Sequence, residues 1–456
     1  MKRVLVITYY WPPSGGSGVQ RWLKFAKYLP QFGWQPVIYT PENPEANSED
    51  KVLLNDILPG TEVIKKRIIE PYGIYKALLG KKKKSPIKAN IISNGEDKSL
   101  MHKFSMFIRG NIFIPDPRCL WIRPSVKFLK RYLKENHIDA IVSTGPPHSM
   151  HLIAKQLSRE TGIKWIADFR DPWTEIFFFK HLGLSKWADR RHRRLEQSVL
   201  DNADTIVVVS QKMQEDFAKR TSTPVEVITN GFDPDDFTKE SSTEAEKAKG
   251  GLCHSKEKFT IVHTGLLVDN GNPDKLWHVL GEMAKKDSAF AGNLEIRVMG
   301  QVDQSIVNDI NQCGIAKNFV NMGYVPHNVA TMWQQAADLL LLPLRKEPEA
   351  AAILTGKFFE YVAAGSPILA FGPLESNLAT ELEKSGCGTI CEWEDCDAIK
   401  RAVEESYKRF LKMKNGDLSG VQDSQMECRR AAQLKYSRKT LTGQLSGLLN
   451  KLTDNR

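Results

Sequence analysis

Asp338-Leu-Leu-Leu-Leu-Pro-Leu-Arg-Lys-Glu-Pro-Glu-Ala-Ala-Ala-Ile-Leu-Thr-Gly-Lys-Phe-Phe-Glu-Tyr-Val-Ala-Ala-Gly-Ser-Pro-Ile-Leu-Ala370 holds all the parts of a strand, helix, strand crossover in one run. The leucines 339 to 342 read as a buried strand. A polar loop follows, a helix is entered at Thr355-Gly356-Lys357, and Gly365 stops it before a strand over Pro367 to Phe371. A cation and a helix start therefore come together at the carboxyl edge of a sheet, where open α/β folds bind ligands. Lys357 and Glu360 are three residues apart and project to the same side of the helix. A lysine at a helix N-terminus suits a diphosphate, and a glutamate one turn later suits paired ribose hydroxyls. An ordinary surface pair is the other reading of these two residues.

The same alternation extends in both directions. Strands are expected at Phe259 to Thr264, Leu294 to Met299 and Val320 to Met322, with helices after Pro273 and over 303–313. In the first half, strands are expected at Val4 to Tyr10, Pro36 to Thr40, Asp139 to Thr144, Lys164 to Asp168, Asp204 to Ser210 and Val225 to Thr229. Val19, Trp22, Leu23, Ala26 and Leu29 recur at helical spacing after the first of these. Short strands alternating with amphipathic helices imply α/β architecture with parallel sheets. A chain of 456 residues exceeds what one core organises. Two Rossmann-like domains are expected, over 1–228 and 229–424, with an irregular insertion at about 41–135 and a helical segment over 425–456 that packs on either one.

Apolar residues at 41% and charged residues at 26% place the chain among folded soluble proteins. No apolar run approaches the roughly 18 residues of a membrane-spanning helix. Two basic residues before Val4-Leu-Val-Ile7 imitate a signal peptide, but Tyr9, Tyr10 and Pro12-Pro13 interrupt the run, which reads as a first strand. The seven cysteines, at 119, 253, 313, 387, 391, 396 and 428, show no C-x-x-C spacing and support neither a disulfide framework nor a metal site. A reducing cytoplasm is the compartment expected. Much of the net charge of +10 lies in the first half, at 65–67, 81–84, 118–134 and 190–194. Such a field attracts nucleic acid, anionic lipid or phosphorylated substrates, or serves only to solvate the surface.

The turn Pro12-Pro-Ser-Gly-Gly-Ser-Gly18 opens directly into a helix. Its glycines allow close backbone approach to a ligand, and the helix start favours anions. It has neither the G-x-G-x-x-G spacing of dinucleotide binders nor the Lys-Ser/Thr ending of a P-loop.

The stretch 338–370 resembles the nucleotide-binding segment of GT-B glycosyltransferases, especially glycosyltransferase family 4 and its "glycosyl transferases group 1" domain. The pattern shared is Lys357-x-x-Glu360-Tyr361-x-x-x-Gly365-x-Pro367-Ile368. Gly15-Gly-Ser-Gly18 resembles the family's first acceptor-side loop. Ile228-Thr-Asn-Gly-Phe-Asp233 with Phe237 resembles the segment at the domain junction, and Met322-Gly-Tyr-Val325 the loop beside the nucleobase. The resemblance implies the GT-B fold, two Rossmann-like domains facing across a cleft. It implies sugar transfer from a nucleotide diphosphate sugar with retention of configuration, without metal or cofactor, the departing diphosphate taking the acceptor's proton. Lys357 would then stabilise the leaving group, Glu360 hold the ribose and Tyr324 lie by the base, with Gly16 and Gly18 facing the reacting centre. His148, in Thr144-Gly-Pro-Pro-His148, matches the position whose imidazole touches the donor sugar. Arg170 and Asp171, in Asp168-Phe-Arg-Asp-Pro-Trp173, fall on the acceptor side. Arg170 flanked by Asp168 and Asp171 also reads as a local ion-pair brace.

Two departures stand out. The family's sugar-side glutamate would fall eight residues before Glu360, where the chain has Ala352; Glu347 and Glu349 are the candidates in the same loop, and Glu349 is taken as the catalytic one. The usual cations after the first C-terminal strand are missing from His263-Thr-Gly-Leu-Leu-Val-Asp-Asn-Gly271, which leaves Arg345, Lys346 or Lys275 to supply a second one, with Arg345 taken as donor-binding. The acceptor expected is a glycan or lipid-linked glycan of cell-surface polysaccharide or glycoconjugate synthesis. Phe104, Met106, Phe107, Ile108, Ile112, Phe113 and Ile114, set among the basic clusters, suggest a peripheral site on the inner face of an anionic membrane; an ordinary core is their other reading. A nucleotide-sugar epimerase would use the same pocket. A nucleic-acid binder would need aromatic platforms beside the basic clusters, and no such module is recognisable, so no nucleic-acid partner is expected.

Overall fold

The structure, a computed structural model, describes all residues except 46–48, 70–106, 109, 177–178, 180–181, 238–256, 348–349, 352–353, 417–423 and 455–456, with side chains also left out at 17 and 424–428. It divides into two compact units, Met1–Asn230 with Arg438–Arg456, and Gly231–Ser437.

The first unit is built on strands β1 (Lys2–Ile7), β2 (Trp34–Pro41), β3 (Glu62–Lys66), β4 (Ala140–Gly145), β5 (Lys164–Phe169), β6 (Thr205–Val208) and β7 (Val225–Val227). Helices α1 (Ser17–Tyr28), α2 (Ile122–Glu135), α3 (Ser149–Thr161), α4 (Lys186–Leu200) and α5 (Gln211–Ala218) connect them. The sheet order is β3-β2-β1-β4-β5-β6-β7, with every pair parallel. Parallel strands covered on both faces read as unbroken apolar runs, which is why Val4 to Ile7 show no alternation. Leu5 and Ile7 face one core with Val126, Leu129 and Ile153, and Val4 and Val6 face another with Val19, Trp22 and Leu445.

The second unit carries β8 (Phe259–Thr264), β9 (Leu294–Met299), β10 (Phe319–Gly323), β11 (Leu339–Pro343), β12 (Ile368–Phe371) and β13 (Gly388–Cys391). Its helices are α6 (Asp274–Lys286), α7 (Ser288–Asn293), α8 (Gln304–Gln312), α9 (His327–Ala336), α10 (Gly356–Ala364), α11 (Asn377–Ser385) and α12 (Cys396–Lys414). The order β10-β9-β8-β11-β12-β13 is again wholly parallel. Both sheets reverse their winding beside their first strand, between β1 and β4 and between β8 and β11.

Three expectations change. The stretch 41–135 is not an irregular insertion throughout: it contains the edge strand β3 and the helix α2. Strand β3 escaped notice because Glu62-Val-Ile-Lys-Lys66 is short and ends in exposed lysines, as edge strands do. Strand β13 was missed for its brevity. The residues after 424 form α13 (Ser424–Tyr436) in the second unit and α14 (Arg438–Asp454) in the first, so the chain returns to its starting unit. Trp34 donates to Asn450 (3.0 Å), and Leu441, Leu445 and Leu449 join the core beneath α1. The cluster 81–84, with Phe104 and Met106, lies outside the described residues. Among the described residues no helix is long and apolar enough to cross a membrane.

A buried ion pair closes the first unit around its switch point. Asp168, at the end of β5, accepts from Arg21 Nη2 (2.9 Å) and Nε (3.2 Å), from Trp22 Nε1 (2.8 Å) and from Thr144 Oγ1 (2.8 Å). Arg21 also donates to the carbonyls of Ile228 (2.9 Å) and Thr229 (2.8 Å). Burial works to raise the carboxyl of Asp168, and the Arg21 charge with these hydrogen bonds more than offsets it, leaving the group below the usual carboxylate range. Breaking one partner of a buried pair leaves an uncompensated charge. Asp168→Asn is expected to cost about 3–5 kcal/mol in urea unfolding, and a loss below about 1 kcal/mol would show that water reaches Arg21.

Candidate active site

In the second unit, β8 and β11 pair only through Ile261 with Leu339 and Val262 with Leu340. Beyond that point they separate, and three side chains fill the gap. His263 Nδ1 lies 2.9 Å from the carbonyl of Leu341. Tyr361, on α10, accepts from the Thr264 amide (3.0 Å). Lys357 reaches over the gap, with Nζ 3.4 Å from His263 Nε2 and 3.5 Å from the Leu266 carbonyl. Withdrawal from water pushes the Lys357 ammonium down to about 8, against the pull of the Glu360 carboxylate. Glu360 accepts from Gln334 Nε2 (3.2 Å), which also donates to Thr264 Oγ1 (2.9 Å). The helix carrying both residues starts at Thr355 with no side-chain cap and no acidic residue in its first turn. Such an end presents N–H donors to an anion.

The neighbouring strand ends are shaped by glycine. Gly265 and Gly300 adopt φ of +107° and +136°, and a Cβ on Gly300 would fall 2.2 Å from the Gly265 carbonyl oxygen. Only glycine permits two turns to interlock at that separation. The result is a low backbone shelf beside Lys357.

In the first unit, the Gly-rich turn follows β1 and starts α1 at Gly16 (φ +94°), again without a side-chain cap. Arg170 donates to the Gly18 carbonyl (3.0 Å) and to that of Pro146, tying the loops after β1 and β4 together. The reading of Arg170 as an ion-pair brace between Asp168 and Asp171 is thereby corrected: Asp168 is taken by Arg21, and the guanidinium braces backbone carbonyls. A Cβ on Gly18 would fall 3.0 Å from Tyr10 Cδ2 and 3.2 Å from Arg170 Nη1, so a larger residue would press on both side chains. Asp171 takes no hydrogen bond among the described residues, and burial raises its carboxyl against the opposing pull of Arg170. His148 stacks on Trp173 with ring centroids 4.6 Å apart and planes at 3°. Its Nδ1 is buried without a partner, and burial, helped by the Arg170 charge, holds the ring neutral, well below its usual value. Trp173 is placed by the buried Glu196, which accepts from the amides of Trp173 and Thr174 (both 3.3 Å) and from Arg220 (2.6 Å).

Lys357 and Glu360 thus lie at one switch point, with Gly16, Gly18, His148, Arg170 and Asp171 around the other. Tyr324 is 89% exposed just past β10. Arg345 has no hydrogen bond or ion pair among the described residues, whereas Lys346 is neutralised by Asp274 (2.9 Å) and Lys275 by Glu394 (3.3 Å). Glu347 accepts from Asn270 (2.6 Å), and Glu349 lies outside the described residues. Sequence reasoning missed His263, Gln334 and Trp173. A histidine inside the apolar strand Phe259–Thr264 was the one available signal.

Residues 16–236 match the family model described as Glycosyltransferase Family 4. The chain is a GT-B glycosyltransferase. Its fold is similar to that of a sucrose-phosphate synthase from Thermosynechococcus elongatus (TM-score 0.62, 13% identity, covering 100% of both chains). It is similar also to a glycosyltransferase from Rickettsia africae (0.61, 12%, 100% of this chain and 99% of that one). A third likeness is to WaaG, a glycosyltransferase involved in lipopolysaccharide biosynthesis (0.54, 14%, 98% and 99%). These identities carry the fold and nothing finer. No curated protein matches this glycosyltransferase by sequence.

The glycosyltransferase buries several neutral histidines. Burial pushes both His151 and His263 down to about 3, the former against Asp168 and the latter helped by the Lys357 charge. An unfolded histidine titrates near 6.5. Below that value the unfolded chain binds protons that the folded chain refuses, so stability is full above pH 6.5 and falls as pH drops toward 3. Between pH 6.5 and 5 each ring is expected to cost about 2 kcal/mol. Guanidinium unfolding at the two pH values checks this; an unchanged midpoint would mean that the rings titrate in the folded protein.

Proposed function

We propose that this glycosyltransferase moves a hexose from a nucleoside diphosphate sugar to a hydroxyl acceptor, with retention of configuration and without a metal ion. The observation that carries the reading is Lys357, an ammonium whose hydrogen-bond partners are neutral atoms, set at the open start of α10 with Glu360 one turn further on. The diphosphate would lie against Lys357 and the N–H groups of α10, with Arg345 as the second cation. The ribose hydroxyls would meet Glu360, and the base would lie near Tyr324. In the transfer, the bond from C1 to the diphosphate oxygen breaks and the acceptor oxygen bonds C1 on the same face. The acceptor's proton passes to the departing diphosphate. Catalysis then comes from orientation and from positive charge where negative charge grows. Neutral His148 offers a hydrogen bond to the donor sugar, and Asp171, beside Arg170, one to the acceptor.

UDP and GDP test the reading directly. One of them should raise the melting temperature, and Lys357→Ala should abolish most of that shift and lower turnover by about 10²-fold, the scale of losing one preorganised contact to developing charge. An undiminished shift in the variant would sink the assignment.

The acceptor we propose is a glycan or lipid-linked glycan of cell-surface polysaccharide or glycoconjugate synthesis, met at an anionic inner membrane face. Trp187 is 61% exposed and Ile112 63% exposed, and Asn111 joins their segments through Ser185 (2.7 Å) and Gly183 (3.2 Å). Lys186, Arg190, Arg191 and Arg194 are exposed on the same helix, α4. Apolar tips among cations fit a lipid interface. Vesicles of anionic phospholipid should carry the protein in flotation at low salt and release it at high salt, and Trp187→Ser with Ile112→Ser should weaken binding. Equal flotation with neutral vesicles, or none with either, would remove the membrane from the proposal.

A further inference from the structure

His263 is 1% exposed and stands in β8 just where that strand parts from β11. The ring is neutral, so it carries one N–H and one lone pair. Two carbonyls adjoin the ring, those of Leu341 and Leu266; the former, 2.9 Å from Nδ1, can only accept, while the latter also accepts from Lys357 Nζ (3.5 Å), which assigns the proton to Nδ1 and the lone pair to Nε2. That lone pair faces Lys357 Nζ at 3.4 Å. The lysine lies across Gly265, where a Cβ would fall 2.5 Å from its Cε and 2.8 Å from its Nζ. The left-handed backbone at Gly265 excludes other residues independently.

We propose that His263 is a positioning residue that holds the Lys357 ammonium over Gly265 through Nε2, ready to be handed to the donor's diphosphate. The inference rests on the reading of Lys357 as the diphosphate's cation. A carboxylate in this place would fix the lysine equally well, but it would cancel the charge and compete with the incoming anion. Lys346 and Lys275 are held in that way by Asp274 and Glu394. A neutral lone pair orients the ammonium and leaves its charge for the ligand. The titratable groups facing Lys357 are His263 from β8 and, on its own helix, Glu360 and Tyr361. Glu360 is engaged by Gln334 from α9, and the Tyr361 hydroxyl by the Thr264 amide. Burial and the lysine's charge keep His263 unprotonated at any pH where the enzyme would work.

The test is the affinity for UDP and GDP across pH 6 to 10 in the full chain. In the wild type, the better of the two should bind well below pH 8 and lose affinity above it, as Lys357 gives up its proton. His263→Phe, which fills the space without an acceptor, should weaken binding about tenfold and displace the alkaline limb. His263→Gln, whose amide can donate to Leu341 and accept from Lys357, should restore both. If His263→Phe matches the wild type in affinity and limb while Lys357→Ala is impaired, the positioning role is overturned and the diphosphate site stands. If Lys357→Ala binds normally, the site reading itself is what fails. A measurement without substitution covers the case of poor folding. In protein labelled with 15N-histidine, His263 should show a protonated Nδ1 and a bare Nε2 whose resonance moves on saturation with the nucleotide. A protonated Nε2 would overturn the proposal.

Discussion

Within each sheet every strand points the same way, and the rest of the structure follows from that constraint. A parallel strand can be reached only by a crossover through a helix, so each sheet is covered on both faces and all its strands deliver their loops to one edge. Where the winding reverses, two adjacent loops diverge and no crossover covers the gap. Both units have such a gap beside their first strand. In the first unit, Arg21 and Asp168 join α1, β4, β5 and the end of the sheet beneath the gap. In the second, His263 and Tyr361 occupy it, and Lys357 lies across the top.

Each gap holds one cation by neutral atoms. Other lysines and arginines are matched with carboxylates, as Lys346 is with Asp274 and Arg193 with Glu175. Arg170 is held instead by the carbonyls of Gly18 and Pro146, and Lys357 by an imidazole and a carbonyl. Neutral acceptors fix a cation without cancelling its charge. Both helices that begin at these gaps, α1 and α10, also start without a capping side chain, leaving their N–H groups open to an anion. Each gap thus offers an anion both a fixed cation and an open helix start.

Much of this was legible in the chain. The apolar runs located eleven of the thirteen strands among the described residues, because strands covered on both faces are rich in apolar residues. Strands β3 and β13 were not found because an edge strand is short and half polar, and five residues such as Glu62 to Lys66 look like a loop. The spacing of Lys357 and Glu360 placed both on one helix face, since helical geometry is local. The partner of Asp168 was not legible for the opposite reason: Arg170, two residues away in sequence, offers a local pairing, whereas Arg21, 147 positions distant, is the one that reaches it.

Amino-acid order by itself settled most of the strands, where the glycine turns fall and which cations stand at helix starts. These properties depend on residues within a few positions of one another. Packing alone decided that α14 returns to the first unit, that Asp168 is a buried anchor, and that a histidine from β8 holds a lysine from α10. Those outcomes depend on which distant segments exclude water from one another, and burial is what turns a polar side chain into a committed partner.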